Sequence, residues 1–190
     1  MEMKVLGIVC SPRRAGNTEI MVEEALAIAR EAGAETDIFL VNDKTINGCD
    51  ACGSCFQTGS CRIKDDMQPL YQKMESAEAI LFGSPVYFHS YTAQAKAIID
   101  RTFCFLKDKP LKGKVAAPVL ALRKVGAGQT RVQLYGWFMS QGMIPVRGSI
   151  GYGREKGDVK TGEGANIGMT ALEEVRETAN EVIELVNKLS

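Results

Sequence analysis

Short apolar runs alternate along the chain with segments whose apolar positions recur every three or four residues. Lys4 to Val9 is almost wholly apolar and stops at Ser11-Pro12, the pattern of a strand buried on both faces. Behind a candidate cap at Asn17 or Thr18, Met21, Ala25, Ile28 and Ala32 fall at helical spacing, and that helix ends near Gly33. Glu35 to Val41 reads as a second strand, Asp66 to Glu75 as a short helix and Ala79 to Phe82 as a third strand. Thr92 to Phe105 reads as a helix, Val115 to Leu122 as a fourth strand, Thr130 to Ser140 as a helix and Met143 to Val146 as a fifth strand. Thr170-Ala171-Leu172-Glu173 is a capping box, and it opens a last helix with Leu172, Val175, Ala179, Val182, Val186 and Leu189 on one face.

Strands that alternate with helices predict an α/β fold: a five-stranded parallel sheet with helices on both faces, a three-layer sandwich. Five strands fit the 2-1-3-4-5 order of the flavodoxin-like arrangement. Two stretches break the alternation. Asn42 to Asp65 is a long polar excursion, and Gly148 to Gly168 is glycine-rich and polar. Structureless loops of such length are usually functional, so the second is expected to be an oligomer contact or a cover over a cofactor.

Composition narrows the function. The chain has 190 residues, 45% hydrophobic and 24% charged, which suits one domain over 1–190 carrying a loop at about 42–65. Lys+Arg and Asp+Glu are both 23, and this balance argues against a nucleic-acid binder that relies on phosphate contacts. No run approaches 18 apolar residues, so no membrane span is expected. Met1 to Lys4 lead straight into the first strand without a basic stretch and long apolar core, so no signal peptide is expected and the compartment is read as the reducing cytoplasm.

In that compartment the six cysteines call for an explanation other than disulfides. Cys49, Cys52, Cys55 and Cys61 are spaced C-x-x-C-x-x-C-x5-C. A cubane cluster needs one thiolate per iron corner, and two-residue gaps let a tight loop wrap three of them. Gly48, Gly53 and Gly59 supply backbone freedom for that wrapping. The spacing points to a [4Fe–4S] cluster; zinc, which usually takes two C-x-x-C knuckles across a longer gap, is the rival. Cys10 and Cys104 are read as structural thiols, and His89, the sole histidine, as a hydrogen-bonded turn residue.

A second constellation follows the first strand: Cys10-Ser11-Pro12-Arg13-Arg14-Ala15-Gly16-Asn17-Thr18. A helix N-terminus behind a small polar loop exposes unpaired N–H groups and a partial positive charge, which bind phosphate. Ser11, Asn17 and Thr18 add donors, Arg13 a charged fork, and Gly16 lets the backbone come close. Neither G-K-[ST] nor G-x-G-x-x-G is present, so a mononucleotide is the better candidate. Strand three ends at Gly83-Ser84-Pro85-Val86-Tyr87-Phe88, where backbone amides are expected on the polar edge of a flavin ring and Tyr87 or Phe88 near its face. Gly126, after strand four, is placed beside the other side of the ring.

The segment Ser11-Pro12-Arg13…Gly16-Asn17-Thr18 with Gly83-Ser84-Pro85-Val86-Tyr87 resembles the FMN-binding loops of flavodoxin-like FMN reductases. With the cysteine run, nearly the whole chain is similar to the iron–sulfur flavoproteins of anaerobic archaea and bacteria. Cys10 departs from the glycine often found there, which questions the turn geometry more than FMN binding. The resemblance implies FMN at Ser11, Arg13, Gly16, Asn17, Thr18, Ser84, Pro85, Val86, Tyr87, Phe88 and Gly126, and a [4Fe–4S] cluster on the four cysteines. It further implies a homo-oligomer, a tetramer or dimer of dimers, with one subunit's cluster near another's flavin. A ferredoxin-type donor and reduction of oxygen, peroxide or quinone complete the picture. The competing readings are an NAD(P)H-dependent FMN or quinone reductase, for which Arg123, Lys124 and Arg131 offer phosphate contacts, and a zinc-stabilised flavin-binding sensor. Because the cysteine loop leaves the carboxyl end of strand two, beside strand one, cluster and flavin are expected at the same sheet edge. There the loop would crowd out a nicotinamide.

Overall fold

The computed structural model describes residues 3–189. Its sheet contains β1 (Lys4–Val9), β2 (Glu35–Leu40), β3 (Ala79–Pro85), β4 (Val115–Leu122), β5 (Ile144–Pro145) and β6 (Ser149–Tyr152). The order is β2-β1-β3-β4-β5, with β6 also on β4, and these pairings are parallel. The helices are α1 (Asn17–Glu31), α2 (Ser54–Thr58), α3 (Met67–Ser76), α4 (Ala93–Arg101), α5 (Ala127–Ser140) and α6 (Ala171–Leu189).

Strand alternation divides the interior into two cores. Leu6, Ile8, Phe82 and Leu120 point to one face, where Leu70 of α3, Ile98 of α4 and Trp137 of α5 cover them. Val5, Val9, Leu81 and Val119 point to the other, covered by Val22 and Leu26 of α1 and by Val175 and Val182 of α6. Each such side chain contributes about 1.5–3 kcal/mol when fully buried. The capping box forms as expected: Thr170 N donates to Glu173 Oε2 at 2.7 Å, and Glu173 N to Thr170 Oγ1 at 3.3 Å.

Three expectations change. The helix read over Thr92 to Phe105 is α-helical only to Arg101 and then tightens into a 3-10 turn, Thr102–Phe105. The carbonyl of Thr102 accepts Gln141 Nε2 at 3.1 Å and its hydroxyl accepts Trp137 Nε1 at 2.9 Å, so α5 takes the groups that would continue α4. The fifth strand is split. Even-numbered residues of β4 bond toward β5, as in Ile144 N to Lys114 O and Val146 N to Ala116 O, so the N–H that Pro118 lacks falls on that side. The chain breaks there, at Gly148, where a Cβ would sit 2.2 Å from Pro118 O, and resumes as β6. The region expected as one loop over Gly148 to Gly168 therefore holds β6, a 3-10 turn at Asp158–Lys160 and bridges Gly151–Gly164 and Glu163–Thr170. Buried Glu174 ties it to α6 by accepting Ile150 N and Asn166 N, each at 3.0 Å.

Candidate functional site

The first site opens at the carboxyl ends of β1, β3 and β4. α1 begins with Gly16 at its N-cap and no side-chain cap, so its first amides face the loop without a side-chain partner. Ser11 Oγ braces the turn, accepting Arg13 N at 3.1 Å. A Cβ on Gly16 would lie 3.3 Å from Arg13 O, a tight approach that would push the loop by a few tenths of an ångström. Ser11, Arg13, Gly16, Asn17, Thr18, Pro85, Val86 and Tyr87 line one cavity of about 620 Å³. Ser84, Phe88 and Gly126 do not. Ser84 is buried, its Oγ accepting Thr92 N at 3.1 Å. Phe88 and His89 are both left-handed (φ 49° and 64°), in a turn closed by Tyr87 N to Ser90 O at 2.8 Å, which throws Phe88 wholly into solvent. Gly126, at φ 102°, is where that turn rests: a Cβ there would be 2.8 Å from His89 Cα. The amides of Val86 and Tyr87 donate to Ala121 O and Ser90 O, so the free ring-edge donors expected there are already spent.

The cavity's far wall comes from residues that the sequence reading passed over. Gly153, Arg154, Glu155 and Lys156 line it beside Arg123 and Lys124, whereas Arg131 does not. Asn17 holds this strap: its Nδ2 donates to Glu155 O at 2.9 Å and its Oδ1 accepts Gly157 N at 2.8 Å. Asp158 Oδ2 accepts both Arg154 N and Glu155 N at 2.8 Å, and these bonds hold its carboxyl below the usual range. The long loop thus does cover a cavity, through this strap. Five cationic side chains and one carboxylate line the space, a balance suited to a phosphate-bearing ligand.

The second site is the cysteine loop. α2 sits between left-handed Gly53 and Gly59, and Cys49, Cys52, Cys55 and Cys61 all line one largely apolar cavity of about 430 Å³ with Arg101, Phe103 and Cys104. Phe56 and Phe103 stack edge to face on its rim, centroids 5.1 Å apart. Ser54 Oγ lies 3.2 Å from Cys52 Sγ, and this contact, aided by Arg62, lowers that thiol's pKa. Burial pushes Cys104 up to about 11 and raises Cys10 as well, which keeps both as thiols. Among the described residues, no three Cys, His, Asp or Glu side chains converge as they would around a single ion. Four thiols around one apolar space nevertheless fit the donor set of a cluster.

Arg101, at the end of α4, holds this loop, and the sequence reading missed it. Its side chain is fully buried. Nη1 donates to Asn47 O at 2.9 Å and Asp65 Oδ2 at 2.7 Å; Nη2 donates to Ile63 O at 3.2 Å and Asp65 Oδ1 at 3.1 Å. Asn47 and Ile63 bracket all four cysteines, so one guanidinium closes the loop. Burial would raise the Asp65 carboxyl, but the bonds from Arg101, Asn47 and Met67 outweigh it and hold it at about 2. The placement corrects one expectation. The loop leaves the edge of the sheet beside the first cavity, but its cysteines lie at the opposite end of α4. Thr92, the cap of α4, joins the first region through Cys10 O at 2.7 Å, while Asp100 and Arg101 line the second. Nine residues at about 1.5 Å each put roughly 14 Å between those ends.

The sequence profile of the NADPH-dependent FMN reductase family matches residues 3–155. An iron–sulfur flavoprotein of Methanocaldococcus jannaschii is 36% identical over 98% of this chain and 100% of its own length. One from Methanosarcina thermophila is 35% identical over 98% of each. The chain belongs to the iron–sulfur flavoprotein family. As a member it is a flavin-dependent oxidoreductase, with FMN as its flavin. The solved WrbA-like flavodoxin of Agrobacterium tumefaciens superposes over 100% of both chains with a TM-score of 0.68 at 16% identity. The fold of this iron–sulfur flavoprotein is accordingly flavodoxin-like. Among the described residues no helix is long and apolar enough to cross a membrane.

Proposed function

We propose that the protein is a cytoplasmic electron-transfer oxidoreductase that holds FMN in the sheet-edge cavity and a [4Fe–4S] cluster in the cysteine cavity. The observation that carries this reading is that four cysteines of one compact run ring a single space, apart from the space opened by the phosphate-type loop. A lone tetrahedral ion holds thiolates at about 2.3 Å. Three cysteines at two-residue gaps with a fourth close behind suit four irons with a thiolate at each corner. That favours the cluster over the zinc-stabilised sensor.

When bound, the flavin supplies one- or two-electron chemistry and the cluster one-electron chemistry, so together they convert between the two. The chain's own part is placement. Gly16 and the uncapped start of α1 receive the phosphate, Arg13 adds its fork, and Val86 and Tyr87 pack toward the ring. Arg154 and Lys156, on the strap, bring counter-charge from above. The reading includes a homo-oligomer, a tetramer or dimer of dimers, in which one subunit's cluster lies near another's flavin. A ferredoxin-type protein is the electron donor in this reading, and oxygen, peroxide or quinone the acceptor.

An NAD(P)H-dependent reductase keeps one observation in its favour. Arg123 and Lys124 line the flavin cavity, and the cysteine loop, lying elsewhere, does not crowd it. Anaerobic visible spectra with iron, sulfide and FMN analysis test the main reading: four irons, four sulfides and one FMN per chain are expected. Zinc without sulfide would sink it. Stopped-flow reduction then separates the donors, with reduced ferredoxin or a one-electron reductant expected to act faster than NADH or NADPH and to bleach the cluster before the flavin.

A further inference from the structure

We propose that Ser54 is a positioning residue of the iron–sulfur group: its hydroxyl donates a hydrogen bond to the Cys52 sulfur and so raises the cluster's reduction potential. This rests on the cluster reading above. Ser54 Oγ lies 3.2 Å from Cys52 Sγ, and both residues line the cysteine cavity. Between a hydroxyl and a free thiol, either atom can be the donor. A cysteine that holds iron is a thiolate and has no proton to give, so in the loaded site the hydroxyl is the donor. Hydrogen bonds to an ionised acceptor are also the stronger kind.

The chain around Ser54 is arranged for that contact. Ser54 opens α2, but Gly53, left-handed at φ 70°, holds the N-cap, and the helix takes no side-chain cap. A serine that caps a helix spends its oxygen on the first amides. Here the oxygen is turned back two residues, to the sulfur. Cys52 is fixed from its other side: its N–H donates to Asp50 Oδ1 at 3.3 Å, and Asp50 pairs with Arg62. Partners two residues apart are kept close by the chain itself. The other three corners have no such donor: among the described residues, of the four sulfurs only that of Cys52 has a hydrogen-bonding side-chain partner. One-electron reduction adds negative charge to a cluster and its thiolates. A donor on one of those sulfurs therefore stabilises the reduced state more than the oxidised one, and such hydrogen bonds are among the features that set the potential.

Two substitutions separate the hydroxyl from the shape of the side chain. Ser54→Ala removes the hydroxyl and Ser54→Thr keeps it. Each protein is purified anaerobically, and its iron and sulfide are counted. Potentials come from redox titration followed by electron paramagnetic resonance, and Fe–S stretching frequencies are compared in H2O and D2O. All three forms are expected to hold the full complement of iron and sulfide, because Cys52 remains a ligand. The potential is expected to fall in Ser54→Ala and to stay at the wild-type value in Ser54→Thr. The deuterium shift of the Fe–S modes is expected to be smaller in Ser54→Ala than in the other two. A serine that only shapes the loop would leave the potential of loaded Ser54→Ala unchanged, and that result overturns the proposal, as does a potential that falls equally in Ser54→Thr. If Ser54→Ala holds no cluster, Ser54→Val takes its place, since it matches the shape of Ser54→Thr without the hydroxyl. Loss of iron from both, with full iron in Ser54→Thr, would make the hydroxyl a requirement for assembly and overturn its role in the potential. Wild-type protein without iron and sulfide would instead remove the cluster reading itself, and the role given to Ser54 with it.

Discussion

The two cavities are built in opposite ways. The sheet-edge cavity is framed at the ends of β1, β3 and β4 and the start of α1, elements fixed by the two cores, with its far wall, the 153–156 strap, made of loop. The cysteine cavity is walled by the irregular cysteine loop with its one five-residue helix and by the end of α4 with the 3-10 turn after it, and the loop is held by the Arg101 guanidinium. The first is therefore a property of the fold, and the second an addition to it. The cysteine site should be lost by single changes that leave the sheet-edge site intact, while damage to the flavin site should come in graded steps.

The largest expected effect is on the addition. Cys55→Ala removes one corner ligand and should strip nearly all the iron while FMN stays bound, as measured by iron and flavin content after gel filtration. Full iron content would refute the ligand assignment, and joint loss of FMN would refute the independence of the two sites. Next comes Arg13→Ala. A charge-assisted hydrogen bond contributes about 1.5–3 kcal/mol, so FMN affinity should fall about tenfold or more and become less sensitive to salt. Fluorescence titration of FMN against riboflavin checks this, and a variant with unchanged affinity and salt dependence would place Arg13 outside the phosphate site.

The clasp has its own acid limit. Asp65, held at about 2 against an ordinary 3.8, stabilises the fold fully above about pH 4 and loses that contribution as pH falls toward 2. The difference is on the order of 2 kcal/mol. Urea unfolding of wild type and Asp65→Asn should differ by about that much at pH 7 and converge near pH 2; a gap that persists at pH 2 would deny the ionised pair its role. The smallest effect belongs to the strap. Asn17→Ala removes two hydrogen bonds to Glu155 and Gly157, worth about 1 kcal/mol, so FMN should bind about fivefold more weakly and 153–157 should be cut faster by protease. Weaker binding with no change in cleavage would return Asn17 to the phosphate.

Local chemistry was legible in the sequence where both halves of an interaction are near in the chain. The phosphate-type loop and the Thr170–Glu173 box follow from neighbours, while the strand order follows from the alternation of strands with helices, which fits one known parallel arrangement. Arg101 was not legible, because a basic residue in a helix's last turn is ordinary and its partners lie 54 and 36 residues away. Asn17 was read as a phosphate donor because the residues it actually holds are 138 and 140 positions further on. β6 was hidden by Gly148, Gly151 and Gly153, which read as loop until Pro118 is known to lie opposite the break. The shared edge assigned to both sites failed for a physical reason. A polar excursion that leaves a sheet is free to travel, and the Arg101 fork draws this one to the far end of α4.

The interrupted outer strand has a consequence for self-association. A long, regular sheet border is a template onto which another chain's strand can add, and natural proteins blunt such borders to avoid runaway polymerisation. Here β5 has two residues and β6 four, separated by a kink opposite a proline. No continuous ladder of the needed length is offered on that side. Copies of this chain should therefore not join along that border, and strand addition is left to the opposite one, the six-residue β2.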